Sequence, residues 1–126
     1  MAKRKSLLGT ETVLTKKLCK ALEKLGVDSF AVVGGQMQKS GQPDRTHHAK
    51  GLPGGTAKVE YKSENGKISV TQRHIGNRLR ARGVLCVVYW FGSEKFTDFE
   101  GEFIASGSTD PTEWLHILKE IGRGKV

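Results

Sequence analysis

The chain has 126 residues, 37% of them apolar and 27% charged, with a formal net charge of +8 and a pI near 9.7. That length suits a single domain able to bury its own core, and the composition excludes a disordered polyelectrolyte. The basic excess favours a polyanionic partner, nucleic acid ahead of a membrane surface, because no stretch pairs a broad apolar face with a lysine-rich one.

The N-terminal residues include Lys3, Arg4 and Lys5 but no apolar stretch long enough for a signal peptide. No run approaches the roughly 20 apolar residues of a spanning helix, so a soluble, cytoplasmic protein without membrane contact is expected. Thr10 opens a helical pattern in which Leu14, Leu18, Ala21, Leu22 and Leu25 recur at spacings of three and four, and Gly26 stops it. Phe30 to Val33 is a short apolar strand closed by Gly34 and Gly35, and Gln36 to Gln42 is a polar loop. Arg45 to Ala49 reads as a weak strand, Lys50 to Gly55 as a turn, and Thr56 to Lys62 as a better strand, together a hairpin.

Asn65 and Gly66 mark the next turn. Ser69 and Gln72 then fit a capping box opening a helix that turns Val70, Ile75 and Leu79 inward and Arg73, Arg78, Arg80 and Arg82 elsewhere. After Gly83, the run Val84 to Trp90 is apolar and β-branched, as a central strand buried on both faces requires. Phe96 to Ala105 suits a further strand or hairpin, and Asp110, Pro111 and Glu113 start a last helix. The order predicts an α/β fold with a central mixed sheet flanked by helices. It reads as one domain over residues 1–126, with a core at about 10–90 and an accessory strand and helix at about 93–122. Cys19 and Cys86 each lie in an apolar run and read as buried free thiols.

The chemistry-bearing residues are Asp44, after Pro43, and the triplet Glu60-Tyr61-Lys62. Strand alternation sends Glu60 and Lys62 to one side and Val59 and Tyr61 to the other. In a hairpin, Asp44 reaches the Glu60 side as well. Two carboxylates and a lysine then converge, a set that suits Mg²⁺ and the hydrolysis of a phosphodiester.

Gly41-Gln42-Pro43-Asp44, then Glu60-Tyr61-Lys62, then Gln72 at a helix start, resembles the PD-(D/E)xK nuclease superfamily, and within it the VRR-NUC group, relatives of Holliday-junction resolvases. The resemblance spans about Glu11 to Tyr89 and implies a restriction-endonuclease-like core. It implies that Asp44 and Glu60 hold Mg²⁺ (Mn²⁺ in its place), with the Tyr61 carbonyl as a further ligand and Lys62 as catalytic lysine. Gln72 would support the site, and Glu11 would match an acidic residue that helps hold or orient the metal. Cleavage would leave 5′-phosphate and 3′-hydroxyl ends. Relatives of this kind act on branched DNA as homodimers, and small free-standing ones occur in phage genomes.

Two departures stand out: Arg45, Thr46, His47 and His48 follow Asp44 where the group has apolar residues, and the Lys50–Gly55 loop is long. The second strand is then either an edge or a DNA-facing strand.

Each residue also has a plainer reading. Glu11 could serve the dipole of a helix's first turn, and Gln72 could complete the capping box alone. His47 and His48, on opposite faces of a strand, read as surface or loop residues. His74 and His116 lack ligand-like spacing with any cysteine, so no zinc site is expected. Trp90 and Phe91 suit a core or dimer contact better than base stacking. Arg73, Arg78 and Arg80 are candidates for phosphate contacts, as are Lys3, Arg4 and Lys5. The rival to a DNA endonuclease is a non-catalytic basic nucleic-acid-binding module, which leaves Asp44 and Glu60 unexplained. An RNA-directed nuclease is equally compatible with the residues.

Overall fold

The computed structural model describes residues 2–31 and 43–125, with the backbone alone over residues 2–10. In chain order these form α1 (Ala2–Lys24), β1 (Asp28–Ala31), β2 (Arg45–His48), a 3-10 turn at Pro53–Gly55, β3 (Thr56–Lys62), α2 (Val70–Ala81), β4 (Leu85–Trp90), β5 (Lys95–Thr97), β6 (Phe103–Ser106) and α3 (Pro111–Gly122). The expected end of the first strand at Val32 and Val33, the glycines after it, the polar loop and the Gly41-Gln42 pair lie outside the described residues.

The sheet is mixed and has six strands in the order β1-β2-β3-β4-β5-β6, parallel at β3–β4 and antiparallel elsewhere. A parallel pair needs a crossover, and α2 supplies it. The central strands are buried on both faces. Val59, Tyr61, Val87 and Tyr89 meet Leu22 of α1 and Trp114 and Leu118 of α3. Cys86 and Val88 point the other way, to Phe99 and to Leu79 of α2. Two covering layers account for the unbroken apolar run in β4. Both cysteines are buried free thiols. Among the described residues no helix is long and apolar enough to cross a membrane.

The helix starts and stops follow local chemistry. Ser69 caps α2 in a complete box with Gln72, and the Asp110 side chain accepts the Thr112 amide at the head of α3. Gly26, at φ +91°, closes α1; the Val27 amide returns to the Leu22 carbonyl at 3.0 Å, the bond of a left-handed helix cap. The helix begins at Ala2 rather than Thr10. Residues 2–8 hold Ala, Lys, Arg and Leu, all good helix formers, and their lack of an amphipathic repeat hid them.

Several expectations on burial are corrected. Leu25 is 42% exposed because the chain turns at Gly26 and Val27 enters the core instead. Val70 is 73% exposed; nine residues at about 100° each put it on the opposite side of α2 from Leu79. β2 is no edge, since it pairs with β1 and β3. His47 is no surface residue: it is fully buried, and its Nε2 lies 2.7 Å from the Tyr61 hydroxyl. Burial pushes its pKa down to about 4, so the ring is neutral. His48 stays exposed, with Nδ1 3.0 Å from Thr56 Oγ1. Trp90 bonds Thr97 Oγ1 at 2.8 Å and Phe91 stacks on Tyr61 at 5.6 Å, so both are built into the fold.

Gly76 sets how closely α2 lies to the sheet. A Cβ there would stand 2.4 Å from Cγ of Phe99, whose ring is 1% exposed and has nowhere to go. Gly76→Ala should therefore destabilise the protein. The overpacking, about 1–3 kcal/mol, outweighs a helix-propensity gain of at most about 1 kcal/mol. Urea unfolding should show a lower midpoint at unchanged slope, partly restored by Phe99→Leu; a midpoint at or above wild type would contradict this packing.

Candidate active site

β3 is the strand from which the site is built. Its alternation commits Val59 and Tyr61 to the α1/α3 layer and leaves Glu60 and Lys62 on the α2 side. β2 pairs with β3 in the register Arg45↔Val59. One step further places Asp44 opposite Glu60, where its Oδ2 accepts the Tyr61 amide at 3.1 Å. The N–H and C=O of one strand residue turn to the same side. The Tyr61 carbonyl therefore also faces the Asp44 side of β3.

Glu60 is the unusual residue. It is 2% exposed. Its Oε2 accepts from Gln72 Nε2 at 3.0 Å and lies 3.6 Å from Lys62 Nζ. Its Oε1 is buried and has no partner among the described residues. Burial, and next the negative charge of Asp44, raise its pKa to about 8 against the pull of Lys62. Two acids this close either share a proton, with Asp44 in hydrogen-bond reach of the Glu60 carboxyl, or need positive charge beyond that of Lys62.

Gln72 makes two contacts at once. Its Oε1 accepts the Ser69 amide at 2.9 Å, completing the cap, while its Nε2 holds Glu60. The helix start is thus the device that aims the side chain. Glu11 does not serve a helix dipole, because α1 has no acid in its first turn. Its Oε2 instead accepts the Ser63 amide at 2.9 Å, tying α1 to the residue after Lys62.

Among the described residues no three His, Cys, Asp or Glu side chains gather closely enough to hold a metal. The donors at hand are the carboxylates of Asp44 and Glu60 and the Tyr61 carbonyl, with Glu11 set apart at Ser63. This set fits Mg²⁺, which keeps several waters and takes one or two carboxylates. The unpartnered Glu60 Oε1 is the oxygen such an ion would satisfy.

The basic candidates divide. Arg73, Arg78 and Arg80 are exposed on α2. Arg73 stands 3.8 Å from Glu100 in an exposed, weak pair. Arg80 is partly engaged, donating to the Cys86 carbonyl at 2.9 Å. Lys3, Arg4 and Lys5 belong to the first turns of α1, and their side chains lie outside the description. Sequence reasoning missed the Tyr61 hydroxyl and His47 behind the site. It also missed Glu100, which accepts from Asn77 at 2.8 Å beside Arg73. A polar residue at an inward strand position was the available signal for His47.

No family model matches this chain, and no curated protein matches its sequence. In fold it is similar to Hjc, a Holliday junction resolvase from the archaeal hyperthermophile Archaeoglobus fulgidus. The TM-score is 0.52 at 17% identity, over 71% of this chain and 77% of that one. At that identity the likeness bears on the fold, the α/β arrangement of a mixed sheet between helices.

Proposed function

We propose that this protein is a divalent-metal-dependent DNA endonuclease of the PD-(D/E)xK type, with the VRR-NUC group as its nearest pattern. The observation that carries this reading is the buried Glu60 carboxylate, one oxygen unpartnered, with Asp44 beside it and Lys62 at 3.6 Å. A bound Mg²⁺ or Mn²⁺ supplies Lewis acidity toward the scissile phosphate and acidifies water. Asp44, Glu60 and the Tyr61 carbonyl hold that ion. Gln72 fixes the Glu60 rotamer through Oε2 and leaves Oε1 free to ligate. Lys62 orients the attacking water and offsets charge that develops on the phosphate oxygens. Glu11 anchors the strand end that carries Lys62. The products are 5′-phosphate and 3′-hydroxyl ends.

DNA approaches from the α2 side, where Arg73, Arg78 and Arg80 accompany the site; Lys3, Arg4 and Lys5 are additional candidates for backbone contacts. We infer a preference for branched DNA such as a Holliday junction, in keeping with the fold shared with Hjc. A homodimer would provide the two sites that paired cuts need. The rival, a basic module that only binds, gives no reason for a buried acid beside a second carboxylate where a phosphate must come.

Cleavage of a labelled four-way junction and a matching linear duplex, in Mg²⁺, Mn²⁺ or EDTA, tests the reading. Cutting should require the metal, favour the junction and vanish in Asp44→Ala. Lys62→Met should slow it by on the order of 10²–10³-fold while DNA binding persists. Tight binding with no cutting of either substrate would leave the binding module as the better account.

The acid itself supplies an independent test. A carboxyl whose pKa is raised on folding stabilises most below its unfolded value, and the benefit is lost as pH rises to the folded one. Between about pH 5 and about pH 9, metal-free wild type should therefore lose more thermal stability than Glu60→Gln, whose side chain cannot ionise. Mg²⁺ should raise the wild-type melting temperature and release protons, with neither effect in the variant. Parallel pH curves for the two proteins would refute the raised pKa.

A further inference from the structure

The sheet face that carries Asp44, Glu60 and Lys62 continues past the site over β1 and β2. Register and strand alternation put Thr56 and Lys58 of β3, Thr46 and His48 of β2, and Phe30 of β1 on it. The opposite face buries His47, Ala57 and Val59 completely. This one stays open: Thr46, Thr56 and Lys58 are half-buried, His48 is exposed, and Phe30 is 57% exposed. Its side chains are nonetheless braced. The Lys58 ammonium donates to Thr46 Oγ1 at 3.1 Å, and His48 Nδ1 lies 3.0 Å from Thr56 Oγ1. The Phe30 ring meets the His48 ring edge-on at 5.6 Å.

Charge and shape narrow the occupant. Lys58 enters no ion pair among the described residues. It pairs in register with Cys86, whose carbonyl accepts from Arg80 at 2.9 Å, so a second cation borders the platform. The acids of this face stand at its two ends, Asp44 and Glu60 at the site and Asp28 opposite His48. Among the described residues Phe30 is the one large apolar side chain exposed on β1–β3. A single ring amid threonines and a lysine offers far too little apolar area for a stable protein partner, which covers roughly 800 Å² a side. An aromatic face beside a cation instead suits a nucleic-acid strand, whose base stacks while its phosphate pairs. That base must be unpaired, because within a duplex both of its faces are taken by neighbours. On pleated-sheet spacings Phe30 stands roughly 8 Å from Asp44, two residues along and one strand across.

We propose that this open face is a docking platform for an unpaired DNA strand, with a base stacked on Phe30 and the adjoining phosphate on Lys58. Its role rests on the nuclease reading above: the strand held here is the one led to Asp44 and Glu60.

The test measures binding of a labelled oligothymidylate and of a blunt hairpin duplex to the full chain in EDTA, where no cutting intervenes. Phe30→Ala and Phe30→Leu should each weaken the single strand about tenfold and leave the duplex nearly unchanged. Phe30→Trp should bind the strand as wild type does, with the new indole fluorescence quenched as the strand saturates. Lys58→Gln should lower the slope of log affinity against log salt by about 0.7. Should Phe30→Ala not fold, Phe30→Trp and Lys58→Gln decide. Single-strand affinity unmoved in Phe30→Ala, or no quenching in Phe30→Trp, overturns the proposal. Affinity kept in Phe30→Leu also overturns it, because the contact is then merely apolar. So does a dimer by sedimentation that Phe30→Ala dissociates, which assigns the ring to a second copy. Strand binding that needs Phe30 in a protein that cuts nothing would keep the platform and sink the nuclease reading alone. Metal-dependent cutting with strand binding indifferent to Phe30 would sink the platform alone.

Discussion

The arrangement around β3 is organised by one costly feature, a carboxylate in the middle of a sheet with almost no contact with water. An acid of this kind either takes up a proton or finds positive charge. Three separate segments converge on it: Lys62 from its own strand, Gln72 from the start of α2, and Asp44 from the position just before β2. Lys62 and Gln72 favour the charged form, and Asp44 opposes it. A fold selected for stability alone would place no second acid there; the metal-holding role proposed above gives that cost a reason.

The opposite face shows how such a site is held still. Tyr61 lies between Glu60 and Lys62 and sends its ring into the core, where it stacks near Trp114 and Phe91. Its hydroxyl meets His47, three residues after Asp44 on the neighbouring strand. The two strands that carry the carboxylates are thus joined on one face by the His47–Tyr61 bond and on the other by the Asp44 bond to the Tyr61 amide. Neutral His47 suits this place: a charged ring would need solvation that the core cannot give.

Much of this was legible because β3 carries two signals together, a period-two pattern and a Glu-x-Lys pair on the face opposite its apolar residues. The bounds of β3 and the capping box of α2 follow directly from their residues. β4 was legible by composition, since only a strand covered on both faces is so apolar. The misses have local causes. The Glu11 reading depended on where α1 begins, and a helix rich in lysine and arginine gives no amphipathic edge to count from. Leu25 and Val70 are apolar residues at helix ends, where the periodic face no longer governs what is buried. His47 was hidden because composition classes histidine with the surface, whereas its place is set by its partner across the strand.

The two faces of the sheet also differ in how they handle charge. On the α2 side, exposed arginines share a layer with the buried Glu60 and the exposed Asp44 opposite it, so groups of both signs occupy one surface. If the proposed function holds, a phosphate drawn in by Arg73 or Arg78 would meet a centre that favours it only with a cation between it and the carboxylates. On the α1/α3 side, the sheet buries aromatic rings instead, with Tyr61, Tyr89 and Phe96 packed on Trp114. Lys62 joins the two, since its carbonyl receives the amide of Phe91, whose ring stacks on Tyr61, while its ammonium faces Glu60.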